Sequence, residues 1–588
     1  MKYFVTIPEN AGDHIKFAAE ELKFFLEKIT GGSVAESVEK SDVIFSLGET
    51  LPFIDSGIEK TEYKTEDDSE LLLIGNVYYL FGASDYAVMF GVYETLKALF
   101  GLRIFTETDF TFTSSVPKEI GRIKFSPDIP VRTVGIYPVY SQNERYMRRL
   151  KLYQAMEKWG VWAHSYFYIL PPKIYADKHP DWYTADKHDL CLTNVEMRAE
   201  FTERLKNLIL STPDCVYYML GQEDNKSTCG CEKCKAALNR YNNFSSGLML
   251  EFSNDIVSRI NEWKKTACPE RKLEFVTFAY LKTAKAPVVI RNGKYRLIKE
   301  NLHTLPNLSV MIAPSGATSS YSYFDERNTS CYAPNFKSDE AYPTAESIYA
   351  WKAVTDKLFF WSYSANFLDY NVPFLMWNGF DQNYREYKKL NVQYIFEEGA
   401  YSWRSVNFTE LKAYIAAELS WDSSQDMNVL ITDFMKAYYG DGYEYVREYF
   451  DFLNDYRETV IKETGVEAFY GKYDDFDYLC SGKYWSKEFL DKALSVIYKA
   501  VDKFFYKGYQ KFTEKEWRIF GETLSCEYLL LCNYIKEMSD ETVNEKVLRV
   551  TAIAEHFGMI DEKLGELASP DLSLRIYTEK WLKQTEEI

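Results

Sequence analysis

Two short acidic strings stand out as able to do chemistry: Gly221-Gln222-Glu223-Asp224-Asn225 and Glu397-Glu398-Gly399. Each follows an apolar run of strand length, so each puts carboxyls where a strand gives way to a loop. Carboxyls in such places can hold and transfer protons. Other strand-length runs end in Tyr137, in His164 and Tyr166, and in Tyr280, and one holds Trp361 and Tyr363 ahead of Asn366. Rings stack on flat apolar faces and amides pair with hydroxyls, so acids, rings and amides together form an inventory suited to sugars. Every residue also has a plainer role. A Glu-Asp pair after a strand often sits at a helix N-terminus, a lone histidine is usually a satisfied half-buried one, and Trp361 and Tyr363 share a strand face that could be core. Glu397 and Glu398 point to opposite sides of their strand, so at most one faces a shared mouth.

The elements that would position these groups come from the pattern between residues 131 and 398, where short apolar runs alternate with longer amphipathic stretches. The strands expected are 131–137, 160–166, 189–192, 215–220, 273–279, 308–312, 358–362 and 392–396, with a helix between the fourth and fifth marked by Met249, Phe252, Ile256, Ile260 and Trp263. Eight βα alternations in this length predict a central (β/α)8 TIM-type barrel, whose functional groups stand at the carboxyl ends of the strands. No Gly-rich phosphate turn follows the first strand, which argues against an open dinucleotide-binding sheet. An α/β unit is expected before the barrel, over 1–128. It holds a strand at Tyr3 to Ile7, a helix running to Gly31-Gly32, a strand at Val43 to Leu47, a hairpin about Gly75-Asn76 and a helix from Asp85 to Phe100. The barrel is assigned to 129–406. From 407 to 588 the pattern is helical, with breaks at Gly440, Gly465 and Gly471.

The 588 residues carry a formal net charge of −18, which leaves no basic footprint for a nucleic-acid backbone. No apolar run is long enough to span a membrane and no leader pattern opens the chain, so a cytoplasmic protein is expected, although an exported protein whose leader has been removed would read the same. Aromatic residues make up 17% of the sequence, a surplus that serves a core or a stacking cleft equally well. Of ten cysteines, Cys229, Cys231 and Cys234 cluster on one short loop. With Cys191 as a fourth ligand they could hold a structural zinc; reduced thiols or a disulfide are the alternatives. No cofactor is expected for catalysis, since neither His-x-His nor His-Glu-x-x-His occurs among the six histidines.

The strings His179-Pro180-Asp181-Trp182-Tyr183, Leu190-Cys191-Leu192-Thr193-Asn194 and Glu223-Asp224-Asn225 with the cysteine cluster resemble the bacterial domain of unknown function 4838 family. Ala279-Tyr280 with Pro287, Trp361-x-Tyr363, Glu398-Gly399, Leu419-Ser420-Trp421-Asp422 and Tyr438-Tyr439-Gly440 extend the likeness from about Arg132 to Gly440. Ala19-Glu20-Glu21-Leu22 and Gly91-Val92-Tyr93 are similar to the small α/β domain preceding the barrel in family 20 β-N-acetylhexosaminidases and family 67 α-glucuronidases.

The resemblance implies a barrel related to those hydrolases without defining a sugar; the expectation is a glycoside hydrolase acting on a terminal sugar of a glycan, taken as one of N-acetylhexosamine type. By position Asp224 would be the general acid and Glu223 its helper, although family 20 enzymes carry the reverse order, Asp then Glu. Tyr363 and Glu398 fall where similar barrels bind the acetamide and the sugar hydroxyls. The family 67-like alternative pairs a strand-four acid with Glu398 as base in an inverting reaction. The expected catalytic set is Asp224, Glu223 and Glu398; the expected substrate-binding set is His164, Tyr280, Trp361, Tyr363, Asn366, Trp182 and Glu397. A non-catalytic glycan-binding protein would use the same rings. Sequence leaves the oligomeric state open.

Overall fold

The structure, a computed structural model, describes residues 2–586 except 119, 138–142, 318–320, 331–341, 403–405 and 465–479. The expected helix breaks at Gly465 and Gly471 lie outside the described residues. The chain opens with a five-stranded sheet in the order Tyr3–Thr6, Val43–Leu47, Val77–Gly82, Ser69–Ile74, Arg122–Phe125. The hairpin about Gly75-Asn76 forms as expected, with Ile74 opposite Val77. Helix Asp13–Thr30 buries Ile15, Ala18, Ala19, Leu22, Phe25, Leu26 and Ile29, the 3.6-residue stripe legible in the sequence, and stops at Gly31 with φ of 68°. Glu21 is buried on the same helix. Its carboxylate accepts from Arg149 at 2.7 Å, which ties this segment to the helix Glu144–Arg149 that follows the first strand of the next sheet.

That second sheet is parallel and curled, with seven strands: Val131–Gly135, Val392–Glu398, Leu358–Tyr363, Leu308–Ile312, Glu274–Ala279, Tyr217–Met219 and Trp159–Val161, in that spatial order. Seven of the eight expected strands therefore form. The eighth, expected at 189–192, does not: Trp159–Val161 pairs directly with Tyr217–Met219, and Leu190 makes only an isolated antiparallel bridge to Tyr183. The reason lies in the side chains. Asp189 is buried and ion-paired with Lys282, and Cys191 is turned toward the cysteine loop, so this segment is held by its polar and sulfur groups rather than by a ladder. The sheet is a curled partial barrel. Among the described residues no ladder joins its two edge strands, although the Trp159 indole at one edge donates to the Tyr394 hydroxyl near the other at 3.3 Å.

Rings fill the inside of the curl in two tiers. Trp159, Tyr217, Phe359 and Tyr394 form the lower tier, with Phe359 and Tyr394 stacked at 5.1 Å. Trp162, Phe278, Trp361 and Phe396 form the upper tier, two residues further along the strands in the case of Trp361 and Phe396, as strand alternation requires. Gly135 makes room for this tier, since a Cβ there would lie 2.7 Å from the Phe396 ring. Much of the aromatic surplus is thus structural.

From Thr409 the described residues are helical apart from short connections and one longer segment after the helix Asp540–His556. No described helix is long and apolar enough to cross a membrane.

Candidate active site

A cavity of about 810 Å³ opens at the carboxyl ends of the curled strands. The upper ring tier makes its floor. His164, Asp224, Tyr280, Tyr363 and Glu398 stand on its wall, each just beyond or at the end of a different strand, and Glu566 with Leu567 reach in from the C-terminal part of the chain.

The rim is built from backbone constraints. Gly221 lies so close to the neighbouring loop that a Cβ would come within 2.4 Å of the Ala163 carbonyl, and its own carbonyl accepts the Ser165 and Tyr166 amides at 3.0 and 3.1 Å. Gln222 then donates to the Tyr280 carbonyl at 2.7 Å, locking the loop after Tyr217–Met219 to the loop after Glu274–Ala279. Ala163 and Leu281, both on the cavity wall, hold left-handed backbone with φ of 57° and 48°. Non-glycine residues seldom accept that conformation, and strain of this kind gathers at functional sites. His164 donates from Nδ1 to the Gln222 carbonyl, since a carbonyl can only accept, and this fixes the orientation of its ring.

Two carboxyls on the wall have defined partners. The Tyr280 hydroxyl donates to Asp224 Oδ1 at 2.9 Å, and the Trp361 indole donates to Glu398 Oε2 at 2.7 Å. Asp224 is exposed at the mouth, whereas Glu398 is withdrawn beside the rings. Burial pushes the Glu398 carboxyl up to about 8; the Trp361 indole opposes the shift, and the carboxyls of Glu566 and Glu397 add to it when they ionise. Glu566 is itself raised by burial, with Lys563 opposing and Asp224 adding. Three carboxyls thus share one cavity, and the Glu398 carboxyl is pushed up to about 8 there.

Of the residues expected from sequence, the structure brings His164, Asp224, Tyr280, Trp361, Tyr363 and Glu398 to the cavity. Four others stand elsewhere. Glu223 accepts the Phe167 amide at 2.8 Å, whereas Asp224 accepts the Tyr280 hydroxyl; burial raises the Glu223 carboxyl, with the Phe167 amide opposing. The two carboxyls are held by different partners, Glu223 off the cavity and Asp224 on its wall, so the structure does not bring them together as acid and helper. Glu397 faces the helix layer, where the Tyr384 hydroxyl donates to its Oε2 at 3.2 Å. Trp182 is a core residue stacked on His179 at 3.9 Å. Asn366 is buried and spends its Oδ1 on the Leu368 amide. Tyr166, expected on the same strand as His164, instead opens the short helix Tyr166–Ile169 and is core, packed on Phe201 and Phe252.

Sequence reasoning missed Trp162, Tyr401 and Glu566. Trp162 had a readable signal, because it lies two residues before His164. Glu566 arrives by backbone pairing of a distant segment: the Leu567 amide donates to the Phe367 carbonyl at 2.9 Å and the Tyr370 amide to the Leu564 carbonyl at 2.8 Å. Away from the cavity, the Sγ atoms of Cys191, Cys229, Cys231 and Cys234 lie within 4.8 Å of one another.

A curled parallel sheet with its cavity at the carboxyl ends of the strands places the candidate site where (β/α) barrels carry theirs. A solved family GH115 4-O-methyl-α-glucuronidase with specificity for decorated arabinogalactans is similar in fold, with a TM-score of 0.52 and 11% identity over 96% of this chain and 77% of that one. A GH138 enzyme targeting pectin rhamnogalacturonan II aligns over 100% of this chain and 99% of its own, with a TM-score of 0.43 and 11% identity. No curated protein matches the sequence. The chain belongs to the family described as Domain of unknown function (DUF4838), whose model matches residues 111–451.

Proposed function

We propose that this protein is a glycoside hydrolase that releases a terminal sugar from a glycan at the cavity bounded by Asp224 and Glu398. The observation that carries the reading is Glu398, a carboxyl on the cavity wall held by the Trp361 indole beside a floor of stacked rings, where burial pushes it up to about 8. A protonated carboxyl beside a scissile oxygen is what general acid catalysis of glycoside cleavage needs. Glu398 gives its proton to the leaving oxygen, and Asp224, its oxygen fixed by the Tyr280 hydroxyl, supplies the opposing carboxylate. Trp361 and Trp162, stacked at 5.0 Å, offer the sugar a face to lie on. This reverses the role expected of Asp224 from its position in the chain.

With Glu398 protonated, the acidic side chains of Asp224 and Glu566 against Lys226 on the wall still favour a neutral sugar over a uronic acid, because a substrate carboxylate would meet like charge. An N-acetylhexosamine meets that condition, with Tyr363 on the wall to contact its acetamide. The test is a panel of aryl glycosides of N-acetylhexosamines, neutral hexoses and uronic acids. Turnover of a neutral glycoside that Glu398→Gln abolishes supports the reading. Turnover confined to uronides would overturn the electrostatic argument, and binding without turnover of any glycoside would make the protein a glycan-binding one.

A further inference from the structure

Where the eighth strand is missing from the sheet, the chain is fastened another way. Cys191 lies next to Leu190, the residue of the isolated bridge, and its Sγ is 3.8 Å from that of Cys231 and 3.7 Å from that of Cys234. Cys229 completes the group, with all four sulfurs within 4.8 Å of one another. A disulfide would need about 2.05 Å between two of them. Four thiolates on a tetrahedral zinc, each about 2.3 Å from the metal, stand about 3.8 Å apart along the edges of the tetrahedron. The two spacings through Cys191 match that edge.

We propose that Cys191, Cys229, Cys231 and Cys234 bind one zinc ion as a closed structural site that pins the loop carrying Asp224 to the segment standing in place of the missing strand. Cys229 and Cys231 come from the loop, Cys234 from the first turn of the helix Glu232–Arg240 that follows it, and Cys191 from a separate segment, so the metal joins two parts of the chain that share no ladder. Binding releases four protons to solvent and leaves four thiolates around a dication, a net charge of −2. Donors suited to that charge are already aimed at the sulfurs. The Cys234 amide donates to Cys231 Sγ at 3.4 Å, and the Thr193 hydroxyl lies 3.1 Å from Cys234 Sγ. Cys231 also caps the helix Glu232–Arg240, whose N-terminal dipole favours a thiolate. Four protein ligands leave no position for a substrate, so the ion braces the fold and takes no part in the reaction. Polar contacts run alongside the clamp: Asn225 donates to the His188 carbonyl at 2.7 Å and Ser227 to Asp186 at 2.7 Å. The metal therefore reinforces a junction that side chains already outline, at the edge of the loop on which Asp224 stands.

The experiment is elemental analysis of the full-length protein, purified without chelator or added metal, together with titration of its thiols by a mercurial reagent. About one zinc per chain is expected, released in step with the modification of four thiols. Cobalt(II) put in place of zinc should give the thiolate-to-metal charge-transfer absorption of a tetrahedral sulfur site. Cys234→Ser should drop the metal content to under about a tenth of the wild-type value, while Cys215→Ser, outside the cluster, should leave it unchanged. Should Cys234→Ser fail to fold, Cys231→Ser replaces the exposed ligand and should still lose most of the metal. Less than about a tenth of an equivalent of zinc with all four thiols free overturns the proposal, and so does an intact mass showing the loss of two hydrogens per cysteine pair.

Discussion

Glu397 and Glu398 are neighbours on one strand, and burial pushes both carboxyls up to about 8, yet they belong to different regions of the molecule. Glu398 stands on the cavity wall beside Trp361. Glu397, one residue away and therefore on the other face, is sealed among Tyr384, Ser362 and Ser364 with the Lys412 ammonium nearby. There the usual charge states are inverted in company: burial lowers Lys412 to about 7 and raises Glu522 to about 8. The comparison teaches that a displaced pKa does not by itself mark a catalytic group. Burial displaces carboxyls wherever chains fold around them, and access to a cavity separates the two cases.

The widest gap between the two residues should appear in turnover. Glu398→Gln, which cannot give up a proton, should cut turnover of a glycoside with a poor leaving group by at least about a hundredfold, and much less for an activated aryl glycoside. Glu397→Gln, which resembles the protonated form already present, should stay within about twofold of wild type. Equal losses in both would erase the distinction.

The same pair should diverge in the opposite sense in stability. Glu397→Ala leaves the Tyr384 hydroxyl without its acceptor and opens a void, and should cost about 2–3 kcal/mol in denaturant unfolding while sparing activity. Its pH dependence follows by linkage. The folded-state pKa of about 8 lies above the ordinary value, so between about 4.5 and 8 the folded state holds a proton that the unfolded state has released. Stability is therefore greatest below that window and falls as pH rises through it, by up to about 1.4 kcal/mol per pH unit for one such group. Glu397→Gln should flatten its share of the slope, and an unchanged slope would show that other groups set it.

How far this pair could be read from the sequence depends on what holds each part in place. Strand alternation was enough to say that Glu397 and Glu398 face opposite ways, and apolar spacing was enough for the helix Asp13–Thr30 and for seven strands of the curled sheet. These are local patterns written by burial. The segment 189–192 misled because a short apolar run looks the same whether a ladder or a set of side-chain anchors fixes it, and here Asp189, paired with Lys282, and Cys191 are the anchors. Trp182 and Asn366 were read as ligand contacts because ring and amide types serve a core or a capped loop equally well. Glu566 could not be found at all. It lies 168 positions beyond Glu398, and backbone hydrogen bonds to the Phe367–Tyr370 loop help carry it to the cavity.

A smaller effect tests what tunes Glu398 once it is in the cavity. The Trp361 indole hydrogen bond favours the charged carboxylate and so holds its pKa below the value burial alone would give. Trp361→Phe keeps a ring in the floor and removes the donor. The basic limb of the pH–rate profile should then rise by roughly one pH unit, with sugar affinity changed little. A limb that stays put would mean that Glu398 is not the group whose titration the profile reports.

The smallest effect concerns Glu566, the one wall carboxyl contributed by the C-terminal part of the chain. Its negative charge raises Glu398 and so helps it to keep its proton, while Asp224 in turn raises Glu566. Glu566→Gln preserves shape and removes that charge, so Glu398 should ionise more easily and the basic limb should move down, opposite to the change expected of Trp361→Phe, by less than about half a pH unit. Because the interaction is between charges, the shift should shrink as salt is raised, to the extent that solvent reaches the cavity. Turnover at the optimum should change by less than about threefold, since Glu566 transfers no proton in the proposed reaction. A hundredfold loss would move Glu566 into the role assigned to Asp224 and make the C-terminal segment part of the catalytic apparatus.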